Sequence, residues 1–225
     1  MKNSSLYAQR IGQIYRMLKR KYGKVEPPVH DEPADAVVAG IVSQGLGLKS
    51  SKVAVKRLFR HFVDLNDLRV SRPEEITEVL GGDSPEARQT AAAITKALGL
   101  IFDKYNTVSL QCLKKGGKKA ARDSLQKIDD LNGFVIDYCM VTSLKAHAVP
   151  LTGDMLQFMR SNELVDPEAE DAEIENFMAR QVTSAHAYEF YELMRRGCEH
   201  GGKTLMKKVR SAGRGKSKTE PRKKK

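Results

Sequence analysis

The cysteine and histidine side chains are the first candidates for metal or redox chemistry in this sequence. Cys112, Cys139 and Cys198 are widely separated and form no CxxC pair, which argues against a disulfide framework and against a cysteine-based zinc site. His147 and His186 lack the companion ligands that a metal site needs. We therefore expect reduced thiols and no bound metal ion.

Asp154 is the carboxylate whose neighbours favour a defined role. It follows Thr152 and Gly153 and precedes the apolar run that begins at Met155, a pattern typical of the start of a helix. On this pattern Asp154 is either the N-cap of that helix or a solvated turn residue.

Positive charge is concentrated at the C-terminal end of the chain. Of the 225 residues, 39 are Lys or Arg and 28 are Asp or Glu, which gives a net charge of +11. Residues 201–225 hold eleven of the basic side chains and one acid, and Gly, Ser, Lys and Arg dominate there. This composition cannot form a core, so it predicts a tail that is disordered when free and can pair with DNA phosphates without reading sequence. The candidate contacts in its first half are Lys207, Lys208, Arg210 and Arg214.

Helical patterns cover the rest of the chain. Apolar residues recur at helical spacing from Tyr7 to Tyr22, and an almost wholly apolar helix is predicted after Pro33. Helices also flank the sequence Leu131-Asn132-Gly133-Phe134, and no segment alternates as a strand would. Capping patterns predict further helix starts at Ser50 or Ser51, at Ser71–Glu74 and at Ser84.

Two segments carry a likeness to a known family. The first is Ile41-Val42-Ser43-Gln44-Gly45, at the end of a buried helix, and the second is Leu131-Asn132-Gly133-Phe134-Val135-Ile136-Asp137. The first resembles the Ser-Gln element, and the second the L-P-G-V-G-R-K hairpin, of the helix-hairpin-helix DNA glycosylases, specifically their endonuclease III branch. The likeness covers about residues 5–199, and the catalytic and cluster motifs within it are degenerate.

The resemblance implies a DNA-binding role for four residues. Gln44 matches the glutamine that helps to fill the space left by an extruded base. Asn132, Gly133 and Val135 lie in the hairpin, whose backbone amides would bind a phosphate. Asn132 stands at the usual Pro position and Val135 at the second Gly position, so the hairpin departs from the family pattern at two points.

The resemblance also implies altered chemistry. Asp137 stands where bifunctional members carry the lysine that attacks the sugar, and a carboxylate cannot form the imine that strand cleavage requires. The segment Val149–Met155 resembles the part of the family that bears the catalytic Asp. A gap-free alignment places Thr152 at that position and Asp154 two residues later, so Asp154 is the candidate catalytic carboxylate.

Many endonuclease III relatives hold an iron-sulfur cluster through a C-x6-C-x2-C-x5-C pattern near the C-terminus. Cys198 resembles the first ligand, but Leu205, Lys208 and Arg214 occupy the other three positions. None of these three side chains can bind iron through sulfur. We expect no cluster and no other cofactor.

Together these observations predict an all-α fold with two helical lobes, about residues 30–132 and residues 1–29 plus 133–200, followed by the tail 201–225. The expected protein is a monomer that binds duplex DNA in base-excision repair and, if active, acts as a monofunctional glycosylase without AP lyase activity. The alternative is a catalytically silent DNA-binding scaffold anchored by the tail, and a more distant hypothesis is an RNA- or ribosome-associated protein. No segment is apolar enough to cross a membrane. We expect an intracellular protein, in the cytoplasm or nucleoid, or in the nucleus if the source is a eukaryote.

Overall fold

Helices form the regular structure of this chain. The computed structural model describes residues 4–214, with side chains described for residues 4–200. No strand occurs within residues 4–214, and helices make up most of that region, so the predicted all-α class is confirmed. The α-helices of that region are α1 (Ser4–Tyr22), α2 (Pro33–Gly45), α3 (Leu48–His61), α4 (Leu65–Val70), α5 (Pro73–Leu80), α6 (Pro85–Tyr105), α7 (Gly117–Gln126), α8 (Gly133–Thr142), α9 (Gly153–Ser161), α10 (Asp171–Gln181) and α11 (Ala187–Arg214).

Two helix starts follow the sequence prediction closely. Helix α2 begins at Pro33, and the Glu32 carboxylate caps it by accepting a hydrogen bond from the Ala34 amide at 3.1 Å. Helix α6 begins after Ser84, whose hydroxyl accepts from the Ala87 amide at 3.1 Å. In both cases a side-chain oxygen satisfies an amide that the helix itself cannot pair.

Two other predicted starts are wrong. Helix α3 begins at Leu48 rather than at Ser50 or Ser51, and the Ser51 hydroxyl donates back to the Leu48 carbonyl at 3.0 Å from within the helix. The pattern Ser71–Glu74 is not a capping box, because Arg72 is the N-cap of α5 and provides no side-chain hydrogen bond. The local sequence patterns thus predict that these two helices exist but not the residues at which they begin.

Helix α2 lies at the centre of the fold and is buried along most of its length. It packs on α3, α6 and α8. A Cβ at Gly40 would lie 3.4–3.5 Å from side-chain atoms of Val135 and Tyr138, so glycine permits the close approach of α2 to α8. A Cβ at Gly45 would lie 2.1 Å from the Thr90 hydroxyl oxygen, so the chain turns there with no room for a side chain. The Gly40 contacts thus hold α2 against α8, and the Gly45 contact holds the end of α2 against α6.

Helix α11 packs on α1, α8 and α9. Tyr188, Phe190 and Tyr191 of α11 are buried in the core. Helix α2 and helix α8 also pack directly on each other, across the predicted lobe boundary near residue 132. The division into two lobes stays a prediction.

The end of α11 differs from the sequence expectation. The composition predicts disorder from residue 201, whereas the helix continues through Gly201 and Gly202 to Arg214. The segment 204–209 includes Leu, Met and Lys residues, which favour helix. Residues 215–225 of the predicted tail lie outside the described residues. Among the described helices, none is both long and apolar enough to cross a membrane.

Candidate nucleic-acid interface

The hairpin between α7 and α8 contacts the end of α2 directly. Asn132 is the N-cap of α8, and its side-chain oxygen accepts a hydrogen bond from the Val135 amide at 3.1 Å. Its side-chain nitrogen donates to the Gln44 side-chain oxygen at 2.8 Å. Gln44, Asn132 and Gly133 are all exposed, whereas Val135 is buried. The structure therefore brings the four sequence-predicted residues of this region together.

The hairpin leaves two backbone donors at the start of α8. The amides of Gly133 and Phe134, the first two residues of the helix, have no acceptor within the part of the chain that the structure describes. Gly133 is exposed, and the nearest atom to a Cβ placed on it is a Glu175 carboxylate oxygen at 4.0 Å. The Val135 amide, in contrast, is already bonded to Asn132, so a phosphate would meet Gly133 and Phe134 rather than Val135.

A cavity of about 900 Å³ opens beside Gln44. It lies between the segment 44–47, helix α9 and helix α11. Its lining includes Gln44, Thr152, Asp154, Phe158, Arg195 and Cys198. Its volume is in the range of pockets that bind small organic ligands, so it has space for a nucleoside.

The structure corrects one role proposed for Asp154. Thr152, not Asp154, is the N-cap of α9, and its hydroxyl accepts from the Met155 amide at 3.3 Å. Asp154 lies in the first turn of the helix and is exposed to the cavity. The prediction that Asp154 caps α9 is therefore wrong, and its carboxylate is not used to hold the helix.

Asp154 acts electrostatically on Cys198 across the cavity. Burial, together with the negative charges of Asp154 and Glu199, raises the pKa of the Cys198 thiol to about 12. The three cysteines of the chain lie on separate elements, with Cys112 exposed and Cys139 buried in α8. Cys198 therefore has no second cysteine on its own helix, and the absence of an iron-sulfur cluster stays a prediction.

Solved structures of DNA glycosylases resemble this arrangement. A non-covalent endonuclease III–DNA complex matches with a TM-score of 0.64 and 16% identity, over 92% of this chain and 98% of that chain. A trapped endonuclease III–DNA covalent intermediate matches with a TM-score of 0.63 and 16% identity, over 84% and 85%. The Clostridium acetobutylicum 8-oxoguanine glycosylase/lyase, in complex with DNA, matches with a TM-score of 0.63 and 13% identity, over 88% and 71%.

The chain has the helix-hairpin-helix DNA glycosylase fold. No protein-family model and no curated protein matches it in sequence. The chain therefore shares its fold, but little of its sequence, with these structures.

In this glycosylase fold Asp137 stands on α8, one turn after the hairpin. Its side chain is 17% exposed and accepts a hydrogen bond from the Arg122 guanidinium of α7 at 2.6 Å. Burial raises the pKa of Asp137, and Arg122 and His147 oppose that rise. The Asp137 side chain is therefore paired between two helices rather than free on an exposed face. Asp137 is also absent from the lining of the cavity beside Gln44.

Sequence reasoning missed the residues of α11 that hold the loop after Gln44. The Glu199 carboxylate accepts hydrogen bonds from the Leu48 amide at 3.0 and 3.1 Å and thereby caps α3 from a distant part of the chain. Arg195 is 5% exposed and donates to Glu199, to the Tyr191 hydroxyl and to the Leu46 carbonyl. In the sequence, Arg195 and Glu199 form an ordinary i,i+4 pair that could equally lie on a surface.

A second carboxylate, one to two turns earlier on α11, also forms hydrogen bonds with α3. Glu192 is fully buried and accepts from Lys52 of α3 at 2.6 Å and from the Tyr188 hydroxyl at 3.1 Å. Arg196 also donates to Glu192. Because a buried carboxylate without partners is costly, these donors fix α3 against α11. The wall of the cavity is thus held by two carboxylates of one helix.

Proposed function

We propose that the protein binds duplex DNA at the hairpin and extrudes a nucleoside into the cavity beside Gln44. The observation that carries this proposal is the hydrogen bond between Asn132 and Gln44, which couples the hairpin turn to the mouth of the cavity. The free amides of Gly133 and Phe134 would hold a phosphate, and Gln44 would fill the space that the extruded base leaves.

The proposed reaction is hydrolytic release of a damaged base by a monofunctional glycosylase. As the bond between base and sugar breaks, positive charge develops on the sugar, and a carboxylate beside it stabilises that charge. Asp154 is the candidate, since it is exposed to the cavity and does not cap α9. The neighbours that share this fold include a structure of a thermostable thymine-DNA glycosylase, with a TM-score of 0.60 and 10% identity over 88% of this chain.

Strand cleavage is not part of the proposed activity. Asp137 holds the position of the lysine nucleophile, and it is paired with Arg122 outside the cavity. Because reduction by borohydride needs an imine and only an amine can form one, we expect no covalent adduct on α8 with DNA that contains an abasic site. A trapped adduct on α8, located by peptide mapping, would contradict this part of the proposal.

The second candidate function is a silent DNA-binding scaffold. It is favoured by Thr152, which caps α9 and stands where the gap-free alignment places the catalytic Asp. Asp and Thr both serve as N-caps, so the variant Thr152→Asp should keep the helix start while it places a carboxylate at the family position.

The experiment is a single-turnover assay of base release over a panel of duplexes that each contain one modified base. Base release by the wild-type protein supports the proposed glycosylase activity. Base release by the Thr152→Asp variant, but not by the wild type, supports the silent scaffold. It would show that the cavity accepts a base and that the wild-type protein lacks the catalytic carboxylate. If neither protein releases any base, the proposed reaction is wrong.

The C-terminal cations would contribute affinity without specificity. Lys207, Lys208, Arg210 and Arg214 lie on the helical part of the tail, and the segment 215–225 adds six further basic residues. Binding should weaken steeply as salt rises, because paired cations release counterions from DNA. Deletion of 215–225 should flatten the plot of log affinity against log salt, and an unchanged slope would show that this segment is not an anchor.

A further inference from the structure

A second cavity, of about 420 Å³, lies at the opposite end of the α7–α8 pair from the hairpin turn. It opens where α7 begins at Gly117 and where α8 has just ended at Thr142. Helix α8 has ten residues, so the cavity is about 15 Å from the amide of Gly133 at 1.5 Å per residue. It is therefore separate from the proposed DNA contact.

Two polar atoms beside this cavity have no partner. The Ser143 hydroxyl and the Nε2 atom of His30 are buried and form no hydrogen bond among the described residues. Both residues line the cavity, and Ser143 is only 6% exposed. Burial lowers the pKa of His30, which favours a neutral imidazole. Buried polar groups normally have a partner, so the Ser143 hydroxyl has a hydrogen-bonding capacity that the described residues leave unused.

The start of α7 adds backbone donors to the same cavity. Its N-cap, Gly116, has no side-chain acceptor, and the first turn contains no acid. The amides of Gly116, Gly117 and Lys118 have no acceptor in the part of the chain described. Gly116 has right-handed and Gly117 positive-φ backbone (φ 79°), the succession that turns consecutive amides toward one point.

The charges around the cavity are mainly positive. Lys114, Lys118 and Lys145 line it, against the single carboxylate of Asp31. Lys114 donates to the Asp31 carbonyl, whereas Lys118 and Lys145 have no ion pair among the described residues. A lysine in the first turn of a helix is unfavourable, since the helix dipole is positive there. A bound anion would reverse that penalty.

We propose that this cavity is a binding site for a phosphate monoester group, held by the amides at the start of α7, by Lys118 and Lys145, and by the Ser143 hydroxyl. A phosphate oxygen accepts from backbone amides, ammonium groups and a hydroxyl at once, which matches this donor set. The site is independent of the proposed glycosylase activity. The phosphate can be free or can belong to a mononucleotide, and the volume of the cavity admits either.

The test is a titration of the full-length protein with inorganic phosphate and, in parallel, with thymidine 5′-monophosphate, at constant ionic strength set with chloride. Backbone amide shifts of Gly116, Gly117 and Lys118 in NMR spectra report binding. We expect saturable shifts with both probes. Tighter binding of the nucleotide identifies a nucleotide site, and equal binding identifies a site for phosphate alone. No shift at these amides with either probe, at concentrations up to tens of millimolar, would overturn the proposal.

Matched variants distinguish a specific phosphate site from non-specific electrostatic attraction. Lys118→Ala and Lys119→Ala remove the same charge from the same helix turn, but only Lys118 lines the cavity. We expect a loss of affinity of about fivefold or more for Lys118→Ala, since a charged hydrogen bond is lost, and less than about twofold for Lys119→Ala. Equal losses would show only diffuse attraction and would overturn the site.

The variant Ser143→Ala distinguishes a role of the hydroxyl in phosphate binding from a role in stability. The hydroxyl has no partner in the protein, so its removal should leave the melting temperature of the free protein unchanged or raise it. The same variant should weaken phosphate binding by about threefold or more. A lower melting temperature with unchanged phosphate affinity would contradict the proposed role of Ser143.

Discussion

Asp137 and Asp154 are carboxylates on two consecutive helices, α8 and α9, and their surroundings are opposite. Asp137 is largely buried and bonded to Arg122, so its charge is used between α7 and α8. Asp154 is exposed to a large cavity, and the structural task of capping its helix belongs to Thr152. The difference shows that position along the glycosylase fold does not assign a role by itself. A carboxylate is available for chemistry only where the fold leaves it unpaired and accessible.

The largest expected effect separates these two carboxylates in catalysis. Asp154→Asn should lower the single-turnover rate of base release about a hundredfold or more, the scale expected when one well-placed electrostatic group is lost. Asp137→Asn should change the same rate much less, because Asp137 does not line the cavity. Duplex affinity, measured on the same samples, serves as the control for folding. Equal rates for Asp154→Asn and the wild type would remove Asp154 from the mechanism.

The comparison also predicts a difference in stability. Arg122→Ala should lower the free energy of unfolding by about 1–3 kcal/mol, because it leaves the buried Asp137 carboxylate without its donor. Lys96→Ala is the matched control: Lys96 and Asp130 also lie 2.6 Å apart, but both side chains are more than half exposed. Its effect should stay below about 1 kcal/mol. Similar losses in urea unfolding would show that the Arg122–Asp137 pair behaves as a surface pair.

A smaller effect concerns pH. Burial raises the pKa of Asp137 and of the nearby Glu175, and Arg122 lowers both while His147 acts on Asp137. Since the folded protein holds these protons more tightly than the unfolded chain does, the stabilising contribution is fully present below about pH 4 and is lost as pH rises through the folded pKa values. The stability difference between wild type and Asp137→Asn should therefore decrease from pH 3.5 to 7. A difference that stays constant across this range would contradict the assignment.

The fold was largely predictable from the sequence because its helices carry their own signals. Regular apolar spacing marked α1, and Pro33 marked the start of α2, while Ser84 marked the start of α6. The wrong start predicted for α3 has a clear cause. The first amide of α3 is satisfied by Glu199, about 150 residues later in the chain, and no local pattern can reveal such a cap.

The candidate site was predictable only in part. Gln44, Asn132 and Gly133 could be found because each belongs to a short motif, but the hydrogen bond that joins Gln44 to Asn132 depends on how α2 packs on α8. The role of Thr152 as the cap of α9 decides whether Asp154 is available, and Thr and Asp rank too closely as caps for the sequence to choose. Arg195 and Glu199 gave no signal, since only the burial of Arg195 and the contacts with residues 46–48 distinguish their pair from a surface pair.

One pair of variants tests most directly whether the first amides of α8 hold a DNA phosphate. Proline is well tolerated at the first position of a helix, and the preceding Asn132 already has the extended backbone that proline requires (φ −77°, ψ 168°). Gly133→Pro therefore removes the amide hydrogen and keeps the helix, whereas Gly133→Ala keeps both. In fluorescence anisotropy with a duplex at low salt, we expect Gly133→Pro to weaken binding about tenfold, as for loss of a hydrogen bond to a charged group, and Gly133→Ala to stay within about twofold of the wild type. Equal affinities for the two variants would contradict the claim.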